Sequence, residues 1–220
     1  MKSPKNSPEA RLLAGLVALR LDPALAAPLL KYLGELVLWN KAYNLTAVRD
    51  PAEMVTRHLL DSLTLLPHVS GRVADIGSGA GLPGIPLALA TSALHVTLLD
   101  SNGKKARFLR HAQRALSLGN VEIVEARAEA FTPPARFDCI VSRAFGSLRE
   151  FLETTARLGA DRGRWLAMKG KLDRKELDDV PAGFRVEQEV QLHVPGLDEQ
   201  RHLIIVSSRG AWRPMSSRGA

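Results

Sequence analysis

The segment Val73-Ala74-Asp75-Ile76 runs without interruption into Gly77-Ser78-Gly79-Ala80-Gly81-Leu82-Pro83-Gly84, an apolar strand that breaks into a glycine-dense turn and then a helix. Gly77, Gly79 and Gly81 let the backbone turn sharply and come close to a ligand where a side chain would block it. A turn that only packs a helix on a sheet needs a single glycine, and this one has four in eight positions. The segment therefore predicts an open α/β sheet with a nucleotide-type cofactor held at the carboxyl end of its first strand.

Two cofactor classes use such a turn followed by an acid at the end of the next strand. Gly79, Gly81 and Gly84 fit the dinucleotide pattern G-x-G-x-x-G, with Asp100 closing the strand Leu94 to Leu99 as the ribose-binding acid. The segment Asp75 to Gly81 also fits D-x-G-x-G-x-G, which puts a carboxylate just before the turn. A pyrophosphate prefers helix N-terminal amides and no nearby anion, whereas an ammonium and a sulfonium favour one. Asp75 thus points to S-adenosylmethionine, with a nicotinamide-dependent oxidoreductase as the alternative enzyme.

The order of elements supports the same choice. Three helices are expected first, at about Glu9 to Leu21, Pro28 to Trp39, and from Asp50-Pro51-Ala52-Glu53 to before Pro67; Met1 to Ser7 are expected to be disordered. From Arg72 strands and helices alternate, with strands at Val73 to Ile76, Leu94 to Leu99, Val121 to Val124, Phe137 to Val141 and Trp165 to Met168. The end breaks this rhythm. Phe184 to Val194 and His202 to Ser207 flank Pro195-Gly196-Leu197-Asp198 and read as an antiparallel hairpin. A dinucleotide dehydrogenase would show a second βαβαβ half instead. The expected fold is a Rossmann-like, class I S-adenosylmethionine-dependent methyltransferase: a seven-stranded, mostly parallel sheet with a terminal antiparallel hairpin. Residues 1–70 form a helical extension packed on it, 71–208 the methyltransferase domain, and 209–220 a disordered basic tail.

Thirty Lys and Arg against 23 Asp and Glu leave a net charge of +7, which points to a polyanionic partner. Arg107, Arg110, His111 and Arg114 fall within about 100° on a helical wheel, opposite Phe108, Leu109 and Ala112. Residues Arg201 to Ala220 add four arginines and no acid. Either feature serves equally as an RNA contact or a solvated face. No apolar run reaches the roughly 20 residues of a bilayer span, and Met1 to Arg11 lacks the apolar core of a secretory signal. A cytoplasmic monomer without membrane contact is expected. The single Cys139 sits in an apolar strand and reads as core, and the six histidines lack H-x-x-x-H spacing, so no metal is expected.

Strand ends supply the candidate site: Gly77 to Leu82, Asp100 for ribose hydroxyls, Ala128-Glu129, where Glu129 reads as a partner of the adenine amino group or as a surface acid, Ser142-Arg143, and Lys169-Gly170. The segment after strand four lacks the Asn-Pro-Pro-Tyr or Asp-Pro-Pro-Tyr of amine methylation and the Pro-Cys of carbon methylation. Lys169 lacks the glutamate that a ribose 2′-hydroxyl methylating tetrad would need in strand seven. A site without a general base suits a ring nitrogen with its own lone pair, such as guanine N7, for which alignment and electrostatics suffice.

Asn44-Leu45-Thr46, Arg57-His58 with Asp61-Ser62-Leu63, Asp75 through Pro86, Leu99-Asp100-Ser101 with Lys104 and Phe108-Leu109, Arg127 with Glu129, Ser142-Arg143-Ala144-Phe145, and Lys169-Gly170 occur in this order along nearly the whole chain. In these motifs the sequence resembles the RsmG (GidB) family of S-adenosylmethionine-dependent methyltransferases. The resemblance implies guanine N7 of small-subunit (16S) ribosomal RNA as target, RNA or the small subunit as partner, and cofactor contacts at Gly77, Leu82, Ala128, Glu129 and Arg143. Arg127, Arg143 and Lys169 are candidates to hold RNA phosphate or guanine O6, with the cofactor role taking priority for Arg143. Arg57, His58 and Asp61 lie at i, i+1 and i+4 of one helix and read equally as a local ion pair or a substrate or lid element. A noncatalytic RNA-binding or assembly protein with a vestigial pocket is the remaining alternative.

Overall fold

The computed structural model describes residues 7–143, 145–171 and 173–209. Helix α1 (Pro8–Ala18) starts where the Ser7 hydroxyl accepts from Ala10 N, so Ser7 is an ordered cap, while the rest of the stretch expected to be disordered, residues 1–6, lies outside the described residues. Helix α2 (Ala26–Tyr43) starts two residues before Pro28, which the first turn tolerates, and outruns Trp39 until Asn44 takes a left-handed φ of 50°. Asp50 accepts from Ala52 N and Glu53 N to start α3 (Pro51–Met54). The chain then widens into a π-helical stretch, Val55–Leu60, before α4 (Asp61–Leu63). π turns inside helices recur at functional sites, and this one carries Arg57 and His58.

The sheet contains β1 (Arg72–Ile76), β2 (His95–Asp100), β3 (Val121–Glu125), β4 (Phe137–Ser142), β5 (Gly159–Lys169), β6 (Phe184–Leu192) and β7 (Arg201–Ser208). Its order is β3-β2-β1-β4-β5-β7-β6, with β7 antiparallel to both β5 and β6. Helices α5 (Gly84–Ala90), α6 (Gly103–Ala115), α7 (Leu148–Thr155) and α8 (Arg174–Asp178) complete it. β5 begins six residues before Trp165, and α8 has no counterpart in the pattern reading. Short polar stretches like these are ordered by neighbours and carry little periodicity of their own.

Two cores cover the sheet. On one face Leu12, Leu29, Leu36, Leu59 and Leu60 of the N-terminal helices join Val73, Leu98, Ile85 and Phe108 in a continuous cluster. On the other, Phe137, Ile140, Phe151 and Trp165 pack under α7, with the Trp165 ring nitrogen donating to Thr155 Oγ1 at 3.0 Å. Each such apolar side chain contributes roughly 1.5–3 kcal/mol of burial, before entropy. The N-terminal helices therefore share their core with the sheet. Beyond Arg209, whose N–H donates to Gly183 O, the expected basic tail lies outside the described residues. Among the described residues no helix is long and apolar enough to cross a membrane.

Candidate active site

The glycine turn is held from three sides. Gly77, Gly79 and Gly81 all take positive φ, at 68°, 58° and 86°. Gly77 N and Ser78 N donate to Leu99 O, and Gly79 N donates to Asp100 Oδ2 at 2.9 Å. Gly84 N donates to Asp75 Oδ2 at 2.8 Å, and a Cβ on Gly84 would collide with Leu98 and Asp75. From outside the sheet, the Tyr32 hydroxyl of α2 donates to Ala80 O at 2.6 Å.

Beneath the turn, a cleft of about 310 Å³ opens at the carboxyl ends of β1, β2 and β3. Gly77, Asp100, Ser101, Lys105, Arg127 and Glu129 give it polar walls; Ile76, Leu99, Ala126, Ala128 and Phe145 give it apolar ones. A Cβ on Gly77 would meet nothing within 4 Å, so the turn faces open space there. Asp100 already accepts from Gly79 N and Asn102 N, one bond per oxygen, which leaves further lone pairs for hydroxyl donors. An acid for ribose hydroxyls, a bare backbone and apolar walls for a planar base fit an adenosyl cofactor.

A second cavity of about 330 Å³ lies beyond β4 and β5, against the π-helical stretch. It is lined by Val48, Arg57, His58, Asp61, Arg143, Met168, Lys169, Gly170 and Arg201. A small gap bordered by Arg143, Phe145, Met168 and Lys169 lies between the two cavities. Its titratable groups are engaged. Arg143 Nη1 contacts Asp61 Oδ2 at 3.2 Å and Arg57 O at 3.3 Å. Arg201 Nε lies 3.6 Å from Asp61 Oδ1, and Lys169 Nζ pairs with Glu176 at 3.0 Å. His58 Nε2 meets Thr46 Oγ1 at 2.8 Å. Burial and then the Arg143 charge push the imidazole down to about 4, so it is neutral at physiological pH. Burial raises the Asp61 carboxyl against the pull of Arg143 and Arg201.

The structure divides the sequence-derived residues between these places. Gly77, Asp100, Arg127, Ala128 and Glu129 meet in the first cleft, which separates Arg127 from Lys169. Arg143, Lys169, Arg57 and His58 meet in the second cavity. Asp75 is buried under the turn, with burial pushing its carboxyl up to about 7. Gly81 packs against Ile85 and Leu109, Leu82 is buried, and neither lines either of these two cavities. Arg57 and Asp61 form no local pair, because the π turn sends Arg57 to Glu199 at 2.5 Å. On α6, Arg110 pairs with Glu125, His111 with Glu35 of α2, and Arg107 reaches Tyr43, so part of the basic face is spent inside the molecule. Arg114 is exposed.

Tyr32 and Glu199 escaped the sequence reading, and Arg201 entered it only as the first residue of the basic end. An aromatic at helical spacing reads as core, and Tyr32 is also that. Arg201 had one available signal: β7 runs antiparallel beside β5 and pairs His202 with Lys169, so its first residue lies at the carboxyl edge of the sheet.

The strand order, the antiparallel β7 and the cleft beneath the glycine turn define the fold of S-adenosylmethionine-dependent methyltransferases. An Aquifex aeolicus S-adenosylmethionine-dependent methyltransferase superposes with TM-score 0.55 at 19% identity, over 72% of this chain and 94% of that one. M. jannaschii TYW2, solved in complex with AdoMet, gives a TM-score of 0.53 at 16% identity, over 68% of this chain and 74% of that one. Residues 26–204 match the family described as rRNA small subunit methyltransferase G, GidB, and the chain belongs to it. A Xanthomonas campestris ribosomal RNA small subunit methyltransferase G is 55% identical over 90% of this chain and 93% of its own length. The protein of that name from Pseudomonas aeruginosa is 54% identical over 84% and 88%. The nicotinamide alternative is thereby set aside.

Proposed function

We propose that the protein transfers a methyl group from S-adenosylmethionine to N7 of a guanine in small-subunit ribosomal RNA. The observation that carries the choice of atom is the second cavity. Each described ionisable side chain lining it is paired or held: Arg57 by Glu199, His58 by Thr46, Asp61 by Arg143 and Arg201, and Lys169 by Glu176. A nucleophile that must lose a proton would need a base here, whereas N7 attacks with a lone pair it already has.

The cofactor supplies an electrophilic methyl on a sulfonium. Asp100 accepts from ribose hydroxyls, Ala128 and Glu129 border the base, and Gly77 lets the chain approach without a side chain between. Arg127, on the wall of the first cleft, serves the cofactor side or the RNA at its mouth. Arg143 and Lys169 stand at the gap between the cavities, where they hold phosphate or guanine O6; donation to N7 itself would occupy the attacking lone pair. Family membership supports the RNA substrate, and the +7 charge is of the sign it requires.

The test is incubation with labelled S-adenosylmethionine and small subunits lacking the modification, followed by cleavage specific for N7-methylguanine. Label at one guanine is expected. Label at another atom overturns the N7 assignment, and tight RNA binding without any label would favour the noncatalytic reading.

A further inference from the structure

A closed circuit of charged contacts borders the second cavity. Arg57 makes two bonds to Glu199, to Oε1 at 2.5 Å and Oε2 at 3.1 Å. Glu199 Oε2 also accepts from Arg201 Nη2 at 3.2 Å. Arg201 turns its Nε to the buried Asp61, Asp61 holds Arg143, and Arg143 returns to the backbone carbonyl of Arg57. The π-helical stretch, the end of β4 and the start of β7 are thus tied at one point.

Glu199 differs from the other members. Arg57 and Arg201 line the cavity, while Glu199 stands outside its lining, half exposed, on the connection between β6 and β7. Its two oxygens take three guanidinium N–H groups from two separate elements, the pattern that two non-bridging phosphate oxygens would take. Arg201 is only 19% exposed and is held from behind by Asp61, so its guanidinium stays in place without Glu199. The other exposed pairs, Arg110 with Glu125, Arg136 with Asp161, Arg149 with Asp179 and Glu153, and Arg185 with Glu187, border neither cavity.

We propose that Arg57 and Arg201 form a phosphodiester-binding site at the mouth of the second cavity, and that the Glu199 carboxylate is an intramolecular stand-in which the RNA backbone displaces. The inference rests on the RNA-methyltransferase reading and adds to it a named phosphate site with its competitor. An exposed ion pair contributes little stability and is screened by salt, so opening it costs little. The phosphate brings equal charge to guanidiniums already in position. Exchange also ties RNA engagement to the β6–β7 connection, a segment that does not line the first cleft.

The experiment measures affinity for small ribosomal subunits lacking the modification across a salt series, with S-adenosylhomocysteine present, for four proteins: the parent, Glu199→Gln, Arg57→Gln and the double variant. Glu199→Gln should tighten binding by at least ~3-fold, since a competing anion is gone. Arg57→Gln should weaken binding and lower the slope of log affinity against log salt by about 0.7–0.9, the share of one phosphate contact. In the double variant the gain from Glu199→Gln should vanish, because the stand-in acts through Arg57. Glu187→Gln, at a carboxylate paired with Arg185 on the sheet edge, should leave affinity unchanged. Unchanged or weaker binding by Glu199→Gln overturns the phosphate site. So does a gain that persists in full without Arg57, which would be a general charge effect. A parent that binds S-adenosylhomocysteine but neither subunits nor their RNA overturns the RNA reading itself.

Discussion

The hydroxyl of Tyr32 donates to the carbonyl of Ala80 at 2.6 Å, joining the second helix of the N-terminal extension to the middle of the glycine turn. Tyr32 is fully buried, and burial pushes its phenol far above the ordinary value, so it remains a donor throughout the accessible pH range. Leu99 O, Asp75 and Asp100 hold the turn from the sheet side. Tyr32 closes the opposite side, so the extension helps hold the glycine turn in place.

Tyr32→Phe keeps the ring and leaves the buried Ala80 carbonyl without its donor. The expected loss of stability is about 1–3 kcal/mol, the cost of one unsatisfied buried group. S-adenosylhomocysteine affinity should fall as well. Thr155→Val, which breaks the remote Trp165 bond, should destabilise without changing that affinity. Urea unfolding and calorimetry on both variants separate the two effects.

Asp75 and His58 load the pH dependence of stability in opposite directions. Burial raises the Asp75 carboxyl from 3.8 to about 7, so the folded chain keeps a proton there that the unfolded chain releases. Its contribution is fully present below pH 3.8 and is lost as pH rises to about 7. His58 falls from 6.5 to about 4, so its contribution is present above pH 6.5 and is lost as pH drops through 4. Each slope is at most about 1.4 kcal/mol per pH unit, and the two oppose each other where the windows overlap. Without cofactor, the stability of the parent minus that of Asp75→Asn should decline from pH 4 to 7, and the same difference for His58→Gln should rise. Urea titrations across this range test both signs; flat differences would contradict them.

Asp61→Asn removes the charge that holds both Arg143 and Arg201. Breaking a largely buried pair costs about 3–5 kcal/mol when the partner charges stay buried, and these arginines reach partial solvent, so a smaller loss is expected. kcat/KM for subunits should drop at least about 10-fold, while S-adenosylhomocysteine affinity holds within a factor of ~2. Equal losses in both would place Asp61 in the cofactor site.

Much of this was legible because it is local. The strand, glycine turn and helix around Asp75 to Gly84, the cap at Asp50, and the carboxyl-end positions of Asp100, Arg143 and Lys169 follow from sequence spacing and strand topology. Contacts across many residues were not legible. Arg57 and Glu199 are 142 residues apart, and Tyr32 and Ala80 are 48 apart. Of the two readings of Arg57, His58 and Asp61, the local ion pair does not form: the π-helical geometry of Val55–Leu60 breaks the i, i+4 alignment that an α-helix would impose, and Arg57 pairs with Glu199 instead. The wheel on α6 found its polar face but carried no sign that Glu35 and Glu125 would face it.

The division of labour between the two cavities is tested most directly by a crossed measurement on Asp100→Ala and Lys169→Gln. Calorimetric titration with S-adenosylhomocysteine and steady-state methylation of unmodified small subunits are run on both variants and the parent. The account predicts that Asp100→Ala weakens S-adenosylhomocysteine binding at least about 10-fold. It predicts that Lys169→Gln leaves that binding unchanged and lowers kcat/KM for the subunits. Cofactor binding lost in Lys169→Gln, or retained in Asp100→Ala, would contradict it.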